Sequence, residues 1–405
     1  MLHADQNASE RDLIIAGAGG IGLALAISIK LFCPRLHIMI VEPTDGFYLL
    51  NDERSYAIAL DCAKMLQKLG VWHNLEHYIQ AINEMKIFDS DIDEVIRINL
   101  LQFKKPKFPI AYMVKAKYLY EALYAKAQQL NIEIIHNTKI VNFDENEIKL
   151  DNGLIFKSKL LVAADGNKSS LRTMAQINSS TSNYKQKAIV CTINHAYENN
   201  GIAVQYFFKN GPFAILPLIN NQVSIVWSEK QNIAEKILAL SPEKFMLELK
   251  KRFGNFLGSI SIEGPVQSFP LSLNLPHNFI ASRFLLIGDA AHKVHPICGQ
   301  GFNLGLRDCA VAAQIIVESS NLGLDIGDLN ILEKYQRSRR ADIITMGFAS
   351  HILNKTFSND IGAIKTIRDV ALSVTDKSLK LKSYFINQAN GATNKDIKLL
   401  QGQDL

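Results

Sequence analysis

Few short sequences restrict a fold as strongly as an apolar run that ends in spaced glycines. Here Leu13-Ile-Ile-Ala16 leads into Gly17-Ala-Gly19-Gly-Ile-Gly22. Four apolar residues closed by glycine read as a buried parallel strand. Glycine at the first, third and sixth positions permits a tight turn, close approach of backbone to a pyrophosphate, and close packing of helix on strand. The helix that follows, expected over Ile21–Lys30, then points its partially positive end at the phosphates. A second strand, Leu36–Val41, is closed by Glu42-Pro43, and Glu42 stands 20 residues after Gly22. An acid there meets a ribose hydroxyl. Strand, helix, second strand and acid together indicate a dinucleotide-binding unit, and the competing reading is a glycine-rich turn in an unrelated α/β fold. Leu13–Ile29 has no charged residue and is just long enough to cross a bilayer. Its four glycines break it into strand, turn and helix, which argues against a membrane span.

The same chemistry recurs twice. Leu160–Ala163 is a buried strand that ends at Asp165-Gly166, and Phe284–Ile287 is another that ends at Gly288-Asp289. Ahead of both, Ala116–Leu130 reads as a helix, and Ile132–Leu154 as short strands with a hairpin signal at Asp151-Asn-Gly153. Ala188–Trp227 alternates like antiparallel strands, with a break at Gly211-Pro212. Ligands of open α/β sheets lie outside the carboxyl ends of the strands. Three such ends, near residues 17, 165 and 288, therefore imply one α/β, Rossmann-like nucleotide domain assembled from separated segments. A mostly antiparallel β domain is inserted between them, and helices close the C-terminus. A chain of 405 residues exceeds one ordinary domain. The expected division is 1–80, 112–181 and 280–345 for the nucleotide domain, 81–111 and 182–279 for the inserted substrate domain, 346–392 for the C-terminal helices, and a loose polar tail at 393–405.

Charge and cysteine usage exclude other classes. The 44 basic and 39 acidic residues leave a net charge of only +5, spread along the chain, so nucleic acid is not an expected partner. Five cysteines without a C-x-x-C pair argue against a disulfide framework or a zinc site and for a reducing, cytoplasmic compartment. Met1–Arg11 lacks the basic-then-apolar order of a signal peptide.

The densest motif is Gly288-Asp-Ala-Ala-His292 followed by Pro296-Ile-Cys-Gly299-Gln-Gly301-Phe-Asn303-Leu-Gly-Leu-Arg307-Asp308. An aspartate directly after an apolar strand needs a partner, and a sugar hydroxyl would serve. Gly299-Gln-Gly301 opens a long helix, expected over Asn303–Glu318, whose free N–H groups suit a developing anion. His292 and His295, each taken alone, read as satisfied structural histidines. Asp165-Gly166, taken alone, is an ordinary turn, and Arg172 an ordinary helix-surface residue.

In order, these constellations resemble the para-hydroxybenzoate-hydroxylase-type flavoprotein monooxygenases, and within them the ubiquinone-biosynthesis hydroxylases. The resemblance is carried by Asp52-Glu-Arg54-Ser-Tyr-Ala57-Ile-Ala-Leu60, by Gly211-Pro-Phe-Ala-Ile-Leu-Pro217-Leu, and above all by His295–Asp308. Phe357-Ser-Asn-Asp360, Asp376 and Gln388-Ala389 add to it. It implies FAD as cofactor, with NAD(P)H or another electron donor. Gly17, Gly19 and Gly22 would hold the pyrophosphate, and Glu42 the adenosine ribose. Arg54 would lie beside the flavin chain, Asp165 near the pyrophosphate, and Asp289 on the ribityl chain. Pro296 would line the reactive face of the flavin. Gly301, Phe302 and Asn303 would present N–H groups to the N1–C2=O edge, where reduced flavin is anionic. Pro296 and Gly301 are thus the candidate catalytic positions, and no metal is expected. Many relatives carry Val-x-Asn before the helix near residue 117, whereas this chain has Val114-Lys115-Ala116. The implied reaction is hydroxylation of a polyprenylated phenol by O2 through a flavin C4a-hydroperoxide, alongside other ubiquinone-biosynthesis proteins. An FAD-dependent prenyl reductase and a non-catalytic flavin-binding subunit of a biosynthetic complex stay open as alternatives. In Ile361–Ile386, five basic residues against two acidic ones fit contact with the surface of the inner membrane. They fit a packed helix pair with a solvated charged side equally well.

Overall fold

The computed structural model describes residues 9–89, 98–104, 108–357 and 395–405. Its main sheet runs, in spatial order, Ile280–Ala281, Phe284–Leu286, Ile155–Ala163, Ser9–Ala16, Ile38–Val41 and Glu133–Ile135. All neighbours in this row are parallel except the first pair. The central strands are covered on both faces, so their sequences are unbroken apolar runs rather than alternating ones. Leu13, Ile14 and Ile15 are fully buried. The register sets Ala16 opposite Ala163, and Ala163 opposite Leu286. Three strand ends far apart in the chain thereby lie side by side. Asp151-Asn-Gly153 is the turn between the antiparallel strands Glu147–Leu150 and Ile155–Ala163.

The helix Gly20–Phe32 packs on this sheet, and the helices Ala116–Gln129 and Gly301–Asn321 pack against that helix. The first is apolar all round, as a buried helix must be; every residue from Leu23 to Ile29 is buried. The uncharged stretch 13–29 is thus divided into strand and helix. No helix among the described residues is long and apolar enough to cross a membrane.

The second sheet has seven strands, ordered Ile260–Pro276, Ser179–His195, Gln222–Lys230, Gly211–Leu218, Ile202–Phe208, Glu84–Asp89 and Ile98–Lys104. All of its pairings are antiparallel except that of Ile202–Phe208 with Glu84–Asp89. The chain turns at Lys209-Asn210, and Gly211 opens the next strand. Its φ is +151°, and a β-carbon there would lie 2.6 Å from the Ser228 carbonyl oxygen. One face packs Phe213, Ile225 and Trp227 against Phe245 and Leu249 of the helix Pro242–Phe253.

The tail differs from expectation. Within residues 395–405, Lys398–Gln401 forms a 3-10 turn with Leu399 and Leu400 fully buried. Lys398 N–H donates to Gln314 Oε1 at 3.0 Å, and Lys68 pairs with Asp404 at 2.8 Å. Averaged polarity hides two adjacent leucines that suffice to anchor a short segment. Asp360, Asp376, Gln388-Ala389 and the basic run 361–386 lie outside the described residues.

Leu400→Ala should lower stability by about 2–5 kcal/mol, because it empties a packed site. Lys398→Ala, which removes only an exposed ion pair with Glu318, should change it by less than about 1 kcal/mol. Urea unfolding of both variants checks this, and equal effects would mean that the tail is not anchored by its leucines.

Candidate functional site

The turn after the first strand is tight. A β-carbon on Gly22 would sit 1.9 Å from the Gly17 carbonyl oxygen, and one on Gly17 2.6 Å from that of Ala164. Gly17 has φ +108°, a conformation that side chains rarely adopt. The glycines therefore let the helix Gly20–Phe32 start directly on the strand and let the 163–165 segment pass against the turn. At Gly19, by contrast, no described atom lies within 4 Å of an added β-carbon. That open side is where a ligand phosphate could approach the helix N-terminus.

Glu42 is buried at the end of the second strand. One carboxylate oxygen accepts from Ala18 N–H at 2.8 Å, and the other from Thr44 N–H at 3.1 Å and Thr44 Oγ1 at 2.7 Å. These bonds fix the carboxylate over the glycine turn, and a carboxylate retains acceptor capacity for a sugar hydroxyl. Asp165 follows the neighbouring strand. Its Oδ2 accepts a long bond from Leu171 N–H, 3.5 Å, while its buried Oδ1 has no hydrogen-bond partner. Burial raises its pKa. A buried acceptor without a donor is costly, and a ligand hydroxyl beside it would relieve that cost. Arg172, read as a surface residue, instead ties this segment to the third strand end, donating to the Ala290 carbonyl at 2.8 Å.

The third strand end carries Asp289, exposed in a short 3-10 turn Gly288–Ala290. Arg54 is held by Asp52 at 2.6 Å. Burial works against its charge, but Tyr56, Asp52 and Asp289 together raise its pKa. Its guanidinium also lies over the rings of Tyr56 and Phe269.

The long helix starts at Gly301, earlier than the expected Asn303, and its first-turn N–H groups have no partner within the helix. Its N-terminus is pinned from two sides. The Asn303 side chain accepts from Ala59 N–H at 2.9 Å and donates to the Ala57 carbonyl at 2.8 Å. The Phe302 ring stacks on Tyr56 at 4.4 Å and comes within 3.0 Å of where a β-carbon of Gly20 would be. Around Gly301 no described atom lies within 4 Å of an added β-carbon. Pro296 starts the preceding 3-10 turn, capped by His295, whose Nδ1 accepts from Ile297 N–H at 3.2 Å.

The structure thus gathers Gly17, Gly19, Gly22, Glu42, Asp165, Asp289 and the Gly301–Asn303 turn around three aligned strand ends. The open glycine positions, the unpartnered Asp165 oxygen and the free helix N-terminus fit a dinucleotide with an anionic ring edge. Lys115, in the divergent Val114-Lys115-Ala116, pairs instead with Glu53 at 3.7 Å.

Sequence reading missed a buried charged network beneath this site. Asp308 bonds His292 at 2.6 Å and Arg339 at 2.7 Å; Arg339 also bonds Asp342 at 2.7 Å, and Arg307 bonds Asp61 at 3.0 Å. His292 and Asp308 stood in the motif, but their partners Arg339 and Asp342 lie on another helix and carry no local signal.

His295 is buried, and burial lowers its pKa from 6.5 to about 4. Between those values the unfolded chain binds a proton that the folded chain does not. The neutral ring's contribution is therefore full above pH 6.5 and is lost as pH falls toward about 4, on the order of 3 kcal/mol in all. His295→Asn keeps an acceptor for Ile297 and should lose less stability than the parent between pH 7 and 4.5. Parallel acid losses in urea titrations would show that His295 is not their source.

Residues 10–344 match the FAD binding domain family. The chain is 34% identical to ubiquinone hydroxylase UbiL of Rhodospirillum rubrum, over 94% of this chain and 89% of that one. It is 28% identical to ubiquinone hydroxylase UbiM of Neisseria meningitidis, over 94% and 84%. It is 26% identical to the mitochondrial ubiquinone biosynthesis monooxygenase COQ6 of Drosophila melanogaster, over 94% and 90%. Among solved structures, p-nitrophenol 4-monooxygenase PnpA of Pseudomonas putida shares the fold, with TM-score 0.77 and 15% identity over 95% of this chain and 99% of that one.

Proposed function

The chain belongs to the FAD binding domain family, and from that premise we propose that it is an FAD-dependent monooxygenase that hydroxylates the aromatic ring of a polyprenylated phenol in ubiquinone biosynthesis. The names of its relatives support the pathway. The observation that carries the chemistry is the helix N-terminus at Gly301–Asn303, pinned by Asn303 and Phe302 with its N–H groups free of helical partners.

In this reading Gly17, Gly19 and Gly22 receive the pyrophosphate, Glu42 the adenosine ribose and Asp289 the ribityl chain, with Arg54 and Asp165 alongside. Gly301, Phe302 and Asn303 direct N–H groups at the ring edge that becomes anionic on reduction, and Pro296 borders the reactive face. When bound, FAD would supply the redox chemistry, taking two electrons from NAD(P)H or another donor and delivering them to O2. One oxygen atom enters the substrate ring and the other leaves as water. The protein's own share is orientation, exclusion of water and charge stabilisation.

The inserted sheet supports an apolar substrate. Phe207 packs on Ile297, directly after Pro296, together with Ile87 and Leu353. On the same face of the sheet, Ala214, Leu216 and Val226 are only half-buried although they stand on central strands. These side chains, beside the Pro296 turn, would meet an apolar substrate. Each isoprene unit adds apolar area, so longer tails should bind better and should lower KM more than they raise kcat.

Heavy-isotope O2 with a competent electron donor tests the reaction. The expected product is a hydroxylated ring carrying one labelled oxygen. Label from water would overturn the reading. A saturated tail on an unmodified ring would point to a prenyl reductase, and stoichiometric FAD without turnover to a flavin-binding subunit of a biosynthetic complex.

We place the protein in the cytoplasm at the inner-membrane surface, in company with other ubiquinone-biosynthesis proteins, because a polyprenyl tail keeps its bearer in lipid. Ile344, Phe348 and Ile352, at 39%, 59% and 58% exposure, recur every four residues along the helix Leu329–Phe357 and give it an apolar outer stripe. Changing all three to serine should reduce sedimentation with anionic vesicles, whereas sedimentation equal to the parent's would remove this location.

A further inference from the structure

Asp308 is completely buried, and both of its carboxylate oxygens are hydrogen-bonded to other parts of the chain. Its Oδ2 accepts from Gly288 N–H at 2.9 Å and from His292 Nε2 at 2.6 Å, and its Oδ1 from Arg339 Nε at 2.7 Å. Burial alone would raise its pKa, but His292 and Arg339 outweigh that and hold it below the ordinary carboxylate value. The carboxylate is therefore ionised, and its three bonds are charge-assisted.

The elements it joins are those that flank the proposed ring site. Gly288 is the residue before Asp289. Its φ is +59°, and a β-carbon would lie 3.0 Å from Ile21 Cγ2 of the first helix. Asp308 itself is on the helix whose first turn is Gly301–Asn303. Arg339, from the helix Leu329–Phe357, also donates to the Leu304 carbonyl at 3.5 Å and to Asp342 at 2.7 Å. On the helix of Asp308 itself, Arg307 reaches Asp61 at 3.0 Å and lies 4.0 Å from Asp342. Asp61 is at the start of the helix Leu60–Lys68, directly after the strand Ser55–Ala59, which the Asn303 side chain clamps.

We propose that Asp308 is a positioning residue for the cofactor, fixing Asp289 relative to the helix N-terminus by holding Gly288 N–H and Arg339 at once. It touches no ligand itself and acts through Asp289. The inference rests on the proposed function, since it takes Asp289 as the residue that meets the ribityl chain.

The chemistry separates this role from plain stabilisation. A carboxamide at position 308 has the carboxylate's shape, but one of its two oxygens becomes an NH2 donor. Either the Gly288 and His292 bonds or the Arg339 bond then faces a donor and fails. If the Gly288 bond is what aims Asp289, the loss reaches the cofactor only by way of Asp289. Two changes that act through one contact are not additive.

FAD binding to apoprotein, followed by flavin fluorescence, is the test, with Asp308→Asn, Asp289→Ala and the double variant compared with the parent. Asp308→Asn should raise the FAD dissociation constant about tenfold, as expected for one charge-assisted bond. The double variant should bind no more weakly than Asp289→Ala alone. An unchanged constant with only a lower apoprotein melting temperature would overturn the proposal, and so would effects that multiply. If Asp308→Asn does not fold, Arg339→Gln, which loses the guanidinium that holds Oδ1, takes its place in the same cycle and is judged by the same two outcomes. A parent that binds no FAD would instead sink the proposed function.

Discussion

Parallel pairing in the main sheet brings Ala16, Ala163 and Leu286 level with one another, and the site depends on that alignment. A parallel ladder exposes its carboxyl ends on one edge, and the residues just beyond them share one crevice. Gly17, Asp165 and Asp289 meet there although the chain between them builds most of a second domain. The alignment tolerates little disturbance. Gly17 has the Ala164 carbonyl within 2.6 Å of its missing β-carbon, and Gly305 has Ile21 within 2.7 Å of its own. The glycine turn is therefore packed backbone to backbone, where a single methyl group has no place to go, and the long helix meets the first helix through the Ile21 side chain.

Beneath this apolar contact lies a polar one. Asp61, Asp308, Asp342, Arg307 and Arg339 are mostly or wholly removed from water, together with His292. Burying such groups costs more than pairing them returns in many proteins, so their presence is weak evidence for stability. Their placement is more informative. They link three helices and the Gly288–His292 turn, which are the elements bordering the helix N-terminus at Gly301. Directional bonds among buried charges permit few alternative arrangements, whereas apolar packing alone permits sliding. A network of this kind suits a place where N–H groups must face one position in space.

The inserted sheet divides its two faces between stability and chemistry. One face carries Phe213 and Trp227, packed with Phe245 of the covering helix in an aromatic core. The other carries smaller residues such as Ala188, Val190 and Val226, and meets the Pro296 turn through Phe207 and Ile297. Strand alternation makes this division possible, because successive side chains point to opposite faces. A filled face anchors the sheet, so the opposite face is free to stay partly open.

The dinucleotide unit was legible in the sequence because its parts are local. A strand, glycines, a helix, a strand and an acid follow one another within residues 13–42, and each position is set by sterics that act within a few residues. The later Gly/Asp motifs and the long helix were legible for the same reason. What these residues touch was decided only in three dimensions. Asp61 and Arg307 meet across 246 positions, and Asn303 finds Ala59 across 244. Neither pair leaves a periodicity or spacing to read. The docking of Leu399 and Leu400 is another case, since a polar stretch looks loose until a helix groove receives its two leucines. Local geometry is encoded residue by residue, through φ preferences, capping and apolar runs. The partners of buried charges are chosen by desolvation, which does not exist for a side chain until the rest of the fold has closed over it.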